Sequence, residues 1–265
     1  MDGLAINGPK IYFAINFGDF QLPIITQTTI TLLLVTIIFA ILSIVVYKNI
    51  KKRPGGLQVI AEKLVTMLYN LVESTMGKHN LRFAPYIGTL FVSSFAGSIL
   101  SMTGILRSST GDLSVTMAWA IVTSVMVWVE SIKANGFLGW LKGFTEPVVV
   151  MTPMNIVSEI AQPLSMAFRH FGNVAGGSVL TSLIYGALAG LTSFVFGWLP
   201  EAILSVFPPI FQAGIPAILS LYFDVFSGFV QAFVFCLLTM VYVGSACPPP
   251  AEVKVSDEVQ DEAAD

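Results

Sequence analysis

The sequence predicts an all-α, polytopic membrane protein with about five membrane helices and one amphipathic helix at the interface. Three observations carry that prediction. Hydrophobic residues make up 55% of the 265-residue chain and charged residues only 11%, against about 25% charged in a soluble domain. Several apolar runs reach the roughly 20 residues needed to cross the hydrocarbon core of a bilayer. Fourteen prolines and twenty-two glycines occur in this apolar background, as they do in bundles of broken or closely packed membrane helices.

In chain order, Ile24–Tyr47 is the first crossing, and it ends at Lys48, Lys51, Lys52 and Arg53. Such a basic block belongs on the cytoplasmic side, which places the N-terminus outside. Met1–Gln21 carries one lysine and no small-residue cleavage site behind a short apolar core, so no secretory signal is expected. Pro54-Gly55-Gly56 breaks the helix. From Leu57 to Met76, apolar residues recur at helical spacing (Leu57, Ile60, Leu64, Leu68) around Glu62, Lys63 and Glu73. That pattern predicts an amphipathic helix along the cytoplasmic interface.

Tyr86–Leu106 is the second crossing. Arg107–Asp112 turns the chain, and Leu113–Ile132 returns as the third. Lys133 to Pro147 reads as a cytoplasmic loop. From Asn155 to Gly190 no turn signal appears, although Pro163 lies inside, and membrane helices tolerate proline. A helix of that length spans roughly 54 Å against a core of about 30 Å, so it must tilt steeply or bend. Phe194–Phe211, with Trp198, Pro200, Pro208 and Pro209, reads as an external turn. Ile215–Gly244 is a second overlong run, closed by Cys247-Pro248-Pro249-Pro250. One membrane domain is expected over residues 1–250. The acidic tail, 251–265, is expected to be disordered in the cytoplasm.

Composition also excludes functions. The net charge is −3 and the acids gather in the tail; no basic patch points to nucleic acid. Cys236 and Cys247 form no disulfide framework. His79 and His170 have no partner at metal-ligand spacing, and no nucleotide loop or nucleophile elbow occurs. Neither a metal nor another cofactor is expected, nor covalent chemistry by this chain alone.

One intramembrane charge stands out. Arg169 lies well inside the long helix, within Ser165-Met-Ala-Phe-Arg-His-Phe-Gly-Asn173. A mid-membrane arginine costs about 2.5–3.5 kcal/mol on translocon scales, which makes it a functional hypothesis. It cannot give up its proton, so it serves as a fixed positive gate and not as a carrier. The competing reading is a side chain that snorkels to the interface. Ser165, Arg169, Gly172, Asn173 and Gly176 share a helix face by 3–4 spacing. This small, polar face suits close approach of another helix, within the chain or from a partner. On the last helix, Asp224, Ser227, Gly228 and Gln231 recur at i, i+3, i+4 and i+7. Asp224 suggests a water-filled path or, alternatively, an ion pair with Arg169. Gln231 is placed to hydrogen-bond Arg169.

These residues resemble subunit a of the membrane sector of F-type ATP synthases, over nearly the whole chain. Arg169-His-Phe-Gly-Asn173, preceded by Pro163-Leu-Ser, is similar to the family's Arg-x-x-x-Asn signature. Gln231-Ala-Phe-Val-Phe, followed by Leu-Thr-Met-Val-Tyr242, resembles its last helix. Thr110-Gly-Asp-Leu-Ser-Val-Thr116 resembles its external turn, and Pro153-Met-Asn155 the start of its arginine helix. The resemblance implies a non-catalytic subunit that conducts H⁺ or Na⁺ through two half-channels. Its partners would be the c-ring, the b subunits of the peripheral stalk, the other synthase subunits and membrane lipid. Arg169 would pair with the empty c-ring carboxylate, supported by Asn173 and Gln231. Ser178 and Asp224 stand where relatives carry other polar residues of the ion path, so those two roles transfer least directly. His170 is unusual beside the arginine, and the 100° step of the helix turns it off the rotor face. The rivals are a secondary transporter, which predicts an internal repeat the sequence lacks, and an assembly subunit without a path of its own.

Overall fold

The computed structural model describes residues 11–17, 20–52, 54–101, 108–146, 148–196 and 222–249. Strands β1 (Ile11–Phe17) and β2 (Phe20–Thr26) form an antiparallel hairpin. The helices are α1 (Gln27–Lys48), α2 (Gly56–Met76), α3 (Ala84–Ser101), α4 (Leu113–Gly143), α5 (Thr152–Phe196) and α6 (Gly228–Ala246). A π-helical turn, Tyr222–Ser227, runs directly into α6. Five helical segments among the described residues are long and apolar enough to cross a membrane. With α2 beside them, the fold is the all-α polytopic arrangement that the apolar runs predict.

Local chemistry explains the boundaries. After Gln27, α1 holds no proline or glycine until its end at Lys48. The Asn49 amide side chain closes that end by donating to the Val45 carbonyl at 3.0 Å, and Lys48 in the last turn complements the helix dipole. The corner into α2 is fastened by Gln58, which is buried. Its Oε1 accepts from the Lys51 N–H at 3.1 Å, and its Nε2 donates to the Lys51 carbonyl at 3.2 Å and to Glu62 Oε1 at 2.7 Å. Gly77 ends α2 at φ +81°, a conformation open to glycine without strain. Asp112 caps α4, accepting the Ser114 N–H on Oδ1 at 3.0 Å.

The structure departs from the sequence expectations in three places and extends them in a fourth. The hairpin over 11–26 was not expected. The third crossing does not stop at Ile132, because α4 continues to Gly143 through the segment read as a loop from Lys133. Gly136, at φ +72°, interrupts it, and Trp140 holds the far side by contacts with Phe137 and Phe144. The arginine helix is longer than Asn155–Gly190: α5 runs 45 residues, Thr152–Phe196, straight through Pro163. It thereby takes in the first residues of the expected external turn. The rest of that turn, from 197, lies outside the described residues. So do Arg53, residues 102–107, the start of the last run at 215–221 and the tail 251–265.

Backbone proximity divides the chain into two compact units. The first comprises Met1–Ile41, Val92–Thr116 and Ala167–Phe233. Its interior is rich in hydroxyls: Thr28, Thr31, Ser94, Ser98, Thr110 and Thr116 are all buried. The second comprises Leu42–Phe91, Met117–Met166 and Val234–Asp265. Its interior is mostly apolar, with Val72, Ile87, Phe235, Met240 and Val243 buried. It also encloses Glu130, whose carboxylate takes Arg82 at 2.5 Å and Lys133 at 2.9 Å. Asn155 belongs to this unit, and its side-chain amide donates to the carbonyls of Phe144 and Glu146 at 2.9 and 3.2 Å. The start of α5 is thereby tied to the end of α4.

Candidate ion-path site

The first unit contains all the candidate residues, because α5 from Ala167 onward and the chain up to Phe233 both belong to it. On α5 burial follows the helical period. Ala167, His170 and Gly177 are buried, whereas Phe168, Arg169, Gly172 and Gly176 are exposed. Arg169 therefore stands on the open side of its helix. Among the described residues nothing hydrogen-bonds or ion-pairs with its guanidinium. Gly172 and Gly176 have no atom within 4 Å of where a Cβ would lie. Of the small face predicted from 3–4 spacing, Ser165, Arg169, Gly172 and Gly176 are thus exposed, whereas Asn173 lies at its inward margin against the last membrane segment.

His170 turns inward, as its 100° offset predicts. It is 1% exposed, and its Nε2 shares a 2.9 Å hydrogen bond with Ser94 Oγ of α3. One turn further along α5, Asn173 is half-buried and joins two neighbours. Its Oδ1 accepts from Ser227 Oγ at 2.8 Å, and its Nδ2 donates to Gln231 Oε1 at 3.4 Å. Gln231, buried at 6%, thus reaches Asn173 and not Arg169. This corrects the expected direct bond, because both ends of the Gln231–Asn173 contact lie on the inward side and the guanidinium does not. Ser178 is exposed, and its hydroxyl donates to the Ala175 carbonyl of its own helix at 2.7 Å. The Asp224 backbone lies in the π-helical turn; its side chain lies outside the described residues, as does any ion pair it makes.

Gly228 shows why the polar stripe of the last helix contains a glycine. A Cβ there would fall 2.9 Å from Ser98 Cβ, closer than packed carbons approach. Gly228→Ala is expected to force α3 and α6 apart locally and to destabilise the protein by about 1–3 kcal/mol, read as a lowered melting temperature in detergent. A melting temperature at or above wild type would mean that this contact yields freely.

Sequence reasoning missed two groups. Ser94 and Ser98 sit at i and i+4 of the second crossing, with Gly97 between them; that small polar spacing was the available signal. Glu159, an acid within the fourth crossing, was passed over. In the second unit the Trp128 indole N–H donates to its Oε1. Glu159 also lines a cavity of about 420 Å³ with Ser131, Glu146, Asn155, Ser158 and Ser245. Among the described residues no cluster of His, Cys, Asp and Glu is arranged to hold a metal ion.

The sequence of this chain is similar to those of known proteins. The chain is 33% identical over 211 residues to "ATP synthase subunit a, sodium ion specific" of Propionigenium modestum, a match covering 74% of this chain and 65% of that protein. It is 32% identical over 193 residues to ATP synthase subunit a of Desulforamulus reducens, covering 72% and 68%. To the chloroplastic subunit a of Oedogonium cardiacum it is 30% identical over 250 residues, covering 90% and 88%. The family model described as ATP synthase A chain matches residues 28–244, a stretch that includes Arg169, Asn173, Ser178, Asp224 and Gln231. The chain is a member of the ATP synthase A chain family.

Proposed function

We propose that this chain is the ion-translocating subunit a of an F-type ATP synthase, with Arg169 as the fixed gate against a c-ring. The observation that carries the reading is the placement of Arg169. A permanent cation projects from the open, glycine-lined side of a 45-residue membrane helix, with no counter-charge among the described residues. A cation in a membrane is costly when unpaired. A partner helix that brings a carboxylate up to Gly172 and Gly176 supplies both the contact and the counter-charge.

In this reading ions enter by one half-channel, neutralise the ring carboxylate, travel with the ring and leave by the other. Arg169 holds the emptied carboxylate and bars the direct route. Each charge that crosses through the ring draws about 2.3 kcal/mol per 100 mV from the membrane potential; a direct leak past the gate dissipates it. Asn173 and Gln231 brace the gate helix from the inward side. Asp224 and Ser178 line the external path, and the Glu159 cavity opens the internal one. The N-terminus is outside, the C-terminus cytoplasmic, and residues 1–250 act as one membrane domain before the acidic tail. The c-ring and the b subunits are the direct partners, and the chain itself catalyses no covalent step.

Arg169→Ala tests the gate in membrane vesicles carrying the whole complex. Synthesis driven by an imposed membrane potential should disappear while complex assembly stays normal. Normal synthesis would remove the gate and favour an assembly subunit. The transported ion, H⁺ or Na⁺, is decided in the same vesicles by whether synthesis at fixed pH follows external sodium.

A further inference from the structure

We propose that His170 and Ser94 form a positioning pair that sets the rotational angle of α5 and so fixes where Arg169 meets its partner. The inference rests on the gate reading of Arg169 and names residues that reading does not use.

The need for such a pair arises from the composition of the helix. Between Ala167 and Gly177, the fully buried positions of α5 besides His170 are Ala167 and Gly177, while Phe168 is exposed and Phe171 and Val174 are only half-buried. Small side chains allow close approach, but they offer few knobs to lock into the grooves of a neighbour. Packing alone therefore leaves the roll of this stretch weakly specified. Among the described residues the open side gives no help, since no atom lies within 4 Å of an added Cβ at Gly172 or Gly176. A guanidinium at the end of an extended side chain is far from the helix axis. A roll of only 20° displaces it by about 3 Å, whereas a functional group must be held to about 0.5 Å.

Two polar contacts on the inward side meet that need. His170, adjacent to Arg169, is bonded to Ser94 of α3 at 2.9 Å, with both residues almost fully buried at 1% and 2% exposure. Asn173, four residues from Arg169, is bonded to Ser227 and Gln231. One contact holds the turn to α3, and the other holds it to the last membrane segment. They lie on the same stretch of helix as the arginine and point to different neighbours, so together they oppose roll in both senses. A buried hydrogen bond suits this role because its energy falls steeply with angle and its loss strands a polar atom away from water. A leucine of similar size at position 170 fills the space without fixing the angle.

The test uses the full complex in vesicles, with two readouts that do not depend on which ion is carried: ATP synthesis under an imposed potassium diffusion potential, and the rate at which that potential collapses. His170→Leu and Ser94→Ala each remove the bond, and His170→Gln keeps a group able to reach Ser94. In the first two, synthesis is expected to fall about five-fold, the population shift that one buried hydrogen bond controls, and the potential to collapse faster. His170→Gln should stay within about two-fold of wild type. Unchanged synthesis and unchanged collapse in Ser94→Ala would overturn the pair, as would a His170→Gln complex no better than His170→Leu. Should His170→Leu fail to assemble, Ser94→Ala decides alone, since it removes a single oxygen atom. Arg169→Ala in the same assay separates the two levels. If it retains synthesis, the gate reading falls; if it loses synthesis while the pair variants behave as wild type, only the positioning role falls.

Discussion

Arg169→Lys is expected to abolish coupled ATP synthesis almost as completely as Arg169→Ala, by about a hundred-fold or more, although it keeps a basic side chain. The two cations differ where it matters. The guanidinium stays charged at any pH a cell meets. A lysine ammonium loses its proton readily when desolvated, and in the proposed role a neutral side chain would no longer block the direct path. The guanidinium also offers a planar set of donors that can hold a carboxylate with two parallel bonds; the ammonium is a compact point charge. Assembly should be unaffected, because Arg169 is exposed and bonds to none of the described residues. Synthesis under an imposed potential, normalised to assembled complex, is the measurement. A lysine variant with half the wild-type rate would mean that any positive charge at this position suffices.

The second large effect concerns stability. Arg82→Ala is expected to lower the melting temperature of the detergent-solubilised protein more than Glu130→Gln, despite removing the more exposed partner. The Glu130 side chain is 9% exposed, whereas those of Arg82 and Lys133 are 54% and 62% exposed. Removing Arg82 leaves a buried carboxylate with one cation, and an undercompensated buried charge is the expensive outcome. With Lys133 still at 2.9 Å, a cost of about 2–3 kcal/mol is expected. Removing the carboxylate instead leaves two cations that water already reaches, at a cost of about 1 kcal/mol or less. The double variant Arg82→Ala, Glu130→Leu should recover most of the loss, since the stranded charge is gone. The reverse ranking of the single variants would show that Glu130 acts by bridging its cations and not by needing them.

A contrast between local and distant information separates the features legible in the sequence from those that were not. Apolar run length and helical spacing are local properties, so α1, the other crossings and the overlong α5 emerged from the first and α2 from the second. The burial of His170 beside an outward Arg169 was also local, because one residue of helix turns a side chain by 100°. The partners were not. Ser94 and His170 are 76 residues apart, and Asn173 and Gln231 are 58 apart. No spacing rule connects such pairs, so Gln231 was assigned to the more conspicuous Arg169 when its bond goes to Asn173. The end of α4 failed for a different reason. Lys133, Gly136 and Lys142 are loop-like in composition, yet Gly136 breaks the helix at only one residue. Beyond it, the rings of Phe137, Trp140 and Phe144 pack against one another and hold the last turns. The loop assignment rested on Lys133 and Lys142, and the aromatic spacing of Phe137, Trp140 and Phe144 did not enter it. The hairpin fell in a stretch read only for a secretory signal, Met1–Gln21, and in the first residues of the crossing begun at Ile24.

The open glycines of α5 have a consequence for how variants of this protein will sort. Gly172, Gly176, Gly186 and Gly190 meet no atom within 4 Å of an added Cβ. Side chains introduced there strain nothing among the described residues, and alanine would even favour the helix by about 1 kcal/mol each. A screen for folding or expression will therefore pass them as neutral or improved. Any defect they cause must come from outside the described residues. A set of alanine and valine replacements along them maps the footprint of whatever covers this face, with the described fold left unstrained.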